Sequence, residues 1–150
     1  MAAELAADGA VSCWRRFTPP TVKLPRPSGV CFDASGDLWV TCIGDGGAVV
    51  QVAGPRRVAP GAELRRFATS SLHAACPAAK PWDVCCIPAR GGGGAEGTKG
   101  EGALLAVSLH AGKRGGPGAV ALLRVADGVR VRLVTGSLLD GEPNMMALQV

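Results

Sequence analysis

The stretch that decides the fold is Pro27-Ser28-Gly29-Val30-Cys31-Phe32-Asp33-Ala34-Ser35-Gly36-Asp37-Leu38-Trp39-Val40-Thr41. Two short apolar runs, Gly29–Phe32 and Leu38–Thr41, flank a polar pentad with the length and chemistry of a hairpin loop. Side chains alternate between faces along a strand, so Trp39 and Val40 point to opposite sides and each needs something to pack against. Downstream, Gly44-Asp45-Gly46-Gly47 breaks the chain before Ala48–Val52, and a Pro/Gly loop leads on to Glu63–Ala68. Four short strands thus fall within about 45 residues, the content of one repeat of an all-β array.

The pattern recurs. A proline, two variable residues and an apolar run begin at Pro27, again at Pro81-Trp82-Asp83-Val84-Cys85-Cys86, and again at Pro143-Asn144-Met145-Met146-Ala147-Leu148, at intervals of 54 and 62 residues. A second cue precedes each proline. It reads Trp14-Arg15-Arg16-Phe17, then Leu64-Arg65-Arg66-Phe67 and, more loosely, Arg130-Val131-Arg132-Leu133. Asp8-Gly9 and Asp127-Gly128 lie before the first and third of these, as hairpin turns with positive φ do. The second unit reads as strands Trp82–Ile87, Ala103–Leu109, Ala119–Ala126 and Val129–Thr135, stretched by Gly-rich inserts at 90–102 and 111–118. No segment keeps a 3.6-residue apolar period over a helical length; Ala2–Ala7 offers at most one helical turn. The expected class is all-β.

Residues 27–41 closely resemble a blade of the six-bladed β-propellers: NHL repeats, streptogramin-lyase-like proteins and the gluconolactonase-like group. In these a Pro-x-Gly-Val strand leads through Asp-x-x-Gly to an aromatic-Val strand. The resemblance implies a partial β-propeller of about two four-stranded blades, with an outer strand at the N-terminus and an inner strand at the C-terminus. The expected division is a tail and turn at 1–12, the outer strand of a preceding blade at 13–25, blade 1 at 26–68, a linker at 69–79, blade 2 at 80–135, and the start of a further blade at 136–150. On this scheme Gly29 permits close backbone approach near the axis, Asp33 and Gly36 set the first hairpin, and the Arg-bearing strands are outermost with their guanidinium groups on a solvated rim. A closed propeller needs about four to eight blades. The expectation is therefore a fragment of a larger propeller, a truncated gene product, or a two-blade chain that closes as a homotrimer.

Composition narrows the functional classes. The net charge of +4, with 16 basic residues against 12 acidic, is too modest to single out a nucleic-acid binder. The longest apolar runs, Ala103–Leu109 and Ala119–Leu123, are far too short to span a membrane as helices. Met1–Ala10 carries Glu4 and Asp8 and does not read as a secretory signal, so a cytoplasmic setting is expected. In such a reducing compartment Cys13, Cys31, Cys42, Cys76, Cys85 and Cys86 would stay free and serve as small buried hydrophobes.

No catalytic residue and no cofactor is assigned. Gly91–Gly94 with Gly97-Thr98-Lys99-Gly100 has Thr and Lys in the reverse of phosphate-loop order, with no helix pattern after it. No Gly-x-Ser-x-Gly elbow, His-Glu-x-x-His or Cys-x-x-Cys is present. The gluconolactonase-like resemblance implies a divalent metal on the axis, with an Asn at the head of an inner strand. Asn144 stands there after Pro143, but Ser28 and Trp82 head the other two, and one oxygen ligand does not hold a divalent ion. The leading expectation is a binding or scaffolding module for a protein or peptide, less readily for RNA, with no membrane association. The rival is part of a metal-dependent lactonase or lyase.

Overall fold

The computed structural model describes residues 2–5, 11–15, 17–89, 102–111 and 118–135, the first two segments as backbone pairing alone. Ten strands run β1 (Ala2–Leu5), β2 (Val11–Arg15), β3 (Pro27–Phe32), β4 (Leu38–Cys42), β5 (Ala48–Val52), β6 (Glu63–Ala68), β7 (Lys80–Ile87), β8 (Leu104–His110), β9 (Ala119–Arg124) and β10 (Arg130–Thr135), with a four-residue helical turn, α1 (Thr69–Leu72), between β6 and β7. The all-β expectation holds. Strands β3–β6 form one four-stranded antiparallel meander, β7–β10 a second, and β1 pairs with β2. Ala2–Leu5 is thus strand rather than helical turn, paired through Ala3 with Trp14 and Ala2 with Arg15. The expected inner strand at 136–150 lies outside the described residues.

The first hairpin is built around one carboxylate. Asp33 Oδ1 accepts from the Ser35 amide at 2.9 Å, the Ser35 hydroxyl at 2.5 Å and the Asp37 amide at 3.0 Å. Its other oxygen takes the Trp39 indole N–H at 2.9 Å. This is the side-chain turn that Asp forms readily, and Gly36 closes it at φ +81°. Asp37, fully buried, accepts both Nε and Nη2 of Arg57, at 2.9 and 2.7 Å, together with the Gly54 amide and the Gln51 side-chain amide.

The two meanders share one pairing register. In the first, Val30, Cys31 and Phe32 face Val40, Trp39 and Leu38 after a bulge that follows Pro27. In the second, Val84, Cys85 and Cys86 face Val107, Ala106 and Leu105 after a bulge that follows Pro81. The correspondence continues outward: Gln51 pairs with Arg65 and Val49 with Phe67, as Leu122 pairs with Arg132 and Val120 with Val134, with a second irregularity one step further along in both. This corrects the repeat as read from sequence. Arg65 corresponds to Arg132 and Phe67 to Val134, one residue beyond the alignment of Leu64–Phe67 with Arg130–Leu133. Cross-strand partners, not local similarity, set which face a side chain occupies.

The sheets stack face to face. Trp39 and Val49 from the first meet Val84, Leu105, Val107, Leu109 and Leu123 from the second, closed by Leu72 and Ala79 of the connecting segment. The opposite face of the first sheet carries Val40, Cys42, Ala48, Val50 and Val52, covered in part by Phe17 and Leu24. Trp39 and Val40 do face opposite sides, and each has its own core. Among the described residues no helix is long and apolar enough to cross a membrane.

Hydrogen bonding from Arg57 holds the Asp37 carboxyl down at about 2, against an ordinary value of 3.8. A carboxylate with a depressed folded-state pKa stabilises the fold above its unfolded pKa and loses that contribution as pH falls through the folded value. Asp37→Asn should therefore lower the urea midpoint clearly at pH 5. The gap to wild type should close as pH falls from about 4 to about 2; a gap independent of pH would remove Asp37 as the acid-labile element.

Candidate functional site

The place with the most closely fitted polar contacts is where the edge strands β3 and β7 of the two sheets run side by side. Thr41, fully buried, receives the Gly29 amide at 2.7 Å, and its hydroxyl lies 3.1 Å from the Trp82 carbonyl on the neighbouring sheet. Ser28 Oγ lies 3.0 Å from the Thr41 hydroxyl and 3.3 Å from the Pro81 carbonyl. The second sheet repeats the arrangement, with Ser108 receiving the Asp83 amide at 2.9 Å. Gly29 is required here: a Cβ at that position would stand 2.6 Å from Asp83 Oδ1 and 2.7 Å from Asp83 Cα. The glycine read from sequence as a close-approach residue is one, and what approaches it is Asp83 on strand β7 of the other sheet.

At the same end of the sheets, loops present an exposed surface. Trp82 is 38% exposed and meets the His110 ring edge-on at 6.0 Å. Arg26 (φ 50°) and Asp45 (φ 49°) both adopt left-handed backbone, and their loops are tied by Ile43 N–H to the Arg26 carbonyl and Gly44 N–H to the Pro25 carbonyl, each at 3.0 Å. Non-glycine residues in that region are uncommon, Arg more so than Asp, and they persist where surrounding structure holds them. Ser28 and Trp82, the two strand heads read from sequence, are brought together here. Asn144, the third, lies outside the described residues, as does the Gly91–Lys99 loop.

The arginines do not all sit on a solvated rim. Arg65, on the outermost strand of the first sheet, stacks over the Trp39 ring at 5.5 Å and donates to the Val125 carbonyl at 2.8 Å and the Ala126 carbonyl at 3.0 Å in the β9–β10 hairpin. Its neighbour Phe67 stacks on Trp39 at 6.2 Å, and its ring fills the space above Gly128, where any Cβ would collide with it. Arg65 is therefore a clasp between the sheets, and the rim expectation fails for it because Gln51 pairs it onto the inward face. Arg66 faces the other way, bridging Glu63 at 2.6 Å and the Lys23 carbonyl at 2.6 Å. The Arg-Arg dipeptide signalled the outer strand but not which guanidinium turned in.

Cys31, Cys42, Cys76, Cys85 and Cys86 are free thiols. Burial pushes Cys31 up to about 12, with Cys86 and Cys85 the next causes, and burial also raises Cys42, Cys85 and Cys86. Protonated thiols of this kind are poor nucleophiles at neutral pH. His73 and Cys76 stand at an i, i+3 spacing, contrary to the expectation that neither histidine lies at ligand spacing from a cysteine. His73 is buried, and neither ring nitrogen has a hydrogen-bond partner among the described residues. Among those residues no group of three His, Cys, Asp or Glu side chains is placed to hold a metal ion. No protein-family model, no curated protein and no solved structure matches the chain.

Thr41→Val keeps shape and removes the hydroxyl, leaving the buried Gly29 amide and the Trp82 carbonyl without that partner. The expected loss is about 1–3 kcal/mol of unfolding free energy, measurable by urea denaturation, with most of it restored in Thr41→Ser. A Thr41→Val protein as stable as wild type would show that the hydroxyl contributes nothing to the junction.

Proposed function

We propose that the chain is an NHL-like β-propeller segment acting inside the cell as a binding or scaffolding module, with no catalytic step of its own. The observation that carries this reading is the shared register of the two stacked meanders, both bulges included. A repeated unit that buries one face on its neighbour and leaves loops at one end is an architecture for presenting a surface. The surface in question is the loop end bearing Trp82, His110, Arg26 and Asp45. An exposed aromatic supported by a second ring is the kind of anchor on which protein and peptide interfaces concentrate their energy. A protein or peptide partner is favoured over RNA because two of the arginines a basic stripe would draw on are already engaged, Arg65 between the sheets and Arg66 with Glu63.

The test has two arms. Peptides selected from a displayed random library on the immobilised protein should lose at least tenfold in affinity on Trp82→Ala, about 1.4 kcal/mol. Calorimetry with Ca²⁺, Mn²⁺ and Zn²⁺, paired with an assay on simple aliphatic lactones, should give neither uptake nor turnover. Metal-dependent hydrolysis that disappears on Asn144→Ala would overturn the module reading in favour of a lactonase.

A further inference from the structure

The first sheet leaves a groove of about 560 Å³ on the face turned away from the second sheet. It is walled by Phe17, Leu24, Val30, Phe32, Leu38 and Val40, with Val30 59% and Phe32 62% exposed. Two large apolar side chains standing side by side in solvent on a sheet face mark an interaction surface.

The register says what fits it. Val30, Phe32, Leu38 and Val40 occupy the positions that Val84, Cys86, Leu105 and Val107 occupy in the second sheet. Those four side chains are the ones the second sheet turns toward the first, in the core that joins them. The open groove is thus a second example of a surface whose occupant is already visible once in the molecule: the Cys31, Trp39, Val49 and Phe67 face of a blade. The second sheet carries its own version of that face. Cys85, Ala106, Val120 and Val134 hold the corresponding register positions, with Arg132 where Arg65 clasps the neighbouring hairpin. Arg132 and Val134 are exposed there, and Cys85 and Val120 half-buried.

We propose that the groove takes the outer face of the second sheet of another copy of this chain, so that copies join head to tail by repeating the contact already made between the two sheets. This rests on the blade reading above. The joint is heterologous, one surface meeting a different one, and such joints close into rings when the rotation per copy allows. The occupant is a second copy rather than an unrelated helix or peptide because both halves of the contact, front and back, are present on the same chain in matching register.

The pairing also fixes which residues meet. Within the chain, Cys31 of one sheet and Cys86 of the next pack against the same core, and Cys86 is among the groups that raise the Cys31 thiol. Between copies the corresponding pair is Cys85 of one and Phe32 of the next. Phe32→Cys should therefore form a ladder of disulfide-linked multimers under mild oxidation, and the ladder should vanish in Phe32→Cys/Cys85→Ser. Light scattering on the wild-type protein at about 100 µM, where interfaces of ordinary size are populated, should give a whole-number multiple of 15.2 kDa, and Phe32→Asp should return it to one copy. A wild-type monomer overturns the proposal, as does a ladder that survives Cys85→Ser, which would mean groove-to-groove pairing. Hydrogen exchange separates this failure from that of the blade reading. A monomer that protects the Gly29 and Asp83 amides keeps the stacked blades and loses only the assembly; a monomer that exchanges them freely loses both.

Discussion

The structure depends on how closely β3 and β7 can lie, and a single buried hydroxyl governs that. Thr41 receives the Gly29 amide from its own sheet and reaches the Trp82 carbonyl on the next, so one side chain fixes both the bulge in β3 and the distance to β7. Backbone amides at a bulge have no ladder partner, and leaving one buried without a partner is costly. Only glycine fits at the point where Asp83 crosses. With that junction set, the remaining register follows strand by strand, since each ladder allows only one arrangement that keeps the apolar side chains on covered faces. Ser108 performs the same task for Asp83, which is why the two sheets are superposable in pairing although few of their residues agree.

Much of this was legible in the sequence. The eight strands of the two meanders fall within two residues of the apolar runs that announced them, and Pro27 and Pro81 do begin corresponding strands. The signals were local: turn residues, alternation, proline at a strand start. What escaped was set by partners far along the chain. Arg65 and Arg66 are indistinguishable as sequence, yet Gln51 draws one inward to Trp39 while Glu63 and Lys23 hold the other at the surface. The slip of one residue in aligning β6 with β10 arose in the same way, because a bulge displaces the pairing without displacing the similarity. The Arg-bearing run after Asp8-Gly9 was read as a strand, but its partner β1 was missed, because an Ala-rich segment carries no β signature of its own. Of the site, Ser28 and Trp82 were found as strand heads. The contact of Trp82 with His110 required the fold.

The two sheets share a register but not a chemistry, and the difference lies on one face. In the first, Asp33, Trp39, Gln51 and Arg65 form a connected polar strip, Trp39 donating to Asp33 while Arg65 stacks on Trp39 and donates to Gln51. The corresponding positions of the second sheet are Ile87, Ala106, Leu122 and Arg132. Three of the four polar or aromatic members have become aliphatic, and only the arginine remains. A strip that is polar must be satisfied throughout or not built at all. The second sheet follows the latter course, in step with the replacement of its Asp-containing turn by a long glycine-rich insert between β7 and β8. What the first sheet gains from directed hydrogen bonds, the second obtains only by covering aliphatic surface.

That asymmetry bears on how copies can meet. A two-fold joint would place like faces together: groove against groove, setting Phe32 against Phe32, or back against back, setting Arg132 beside its own symmetry mate. The first sets the exposed Val30 and Phe32 against their own symmetry mates. The second brings two guanidinium groups into one low-dielectric seam, where like charges are costly. Front against back sets a projecting Phe32 against the half-buried Cys85, and brings Arg132 to the β5–β6 loop, whose Arg57 is already paired with Asp37. Within the chain the sizes are reversed, a large Trp39 and the small Cys86 sharing one core. One register therefore accommodates bulk from either side, provided the opposing residue is small.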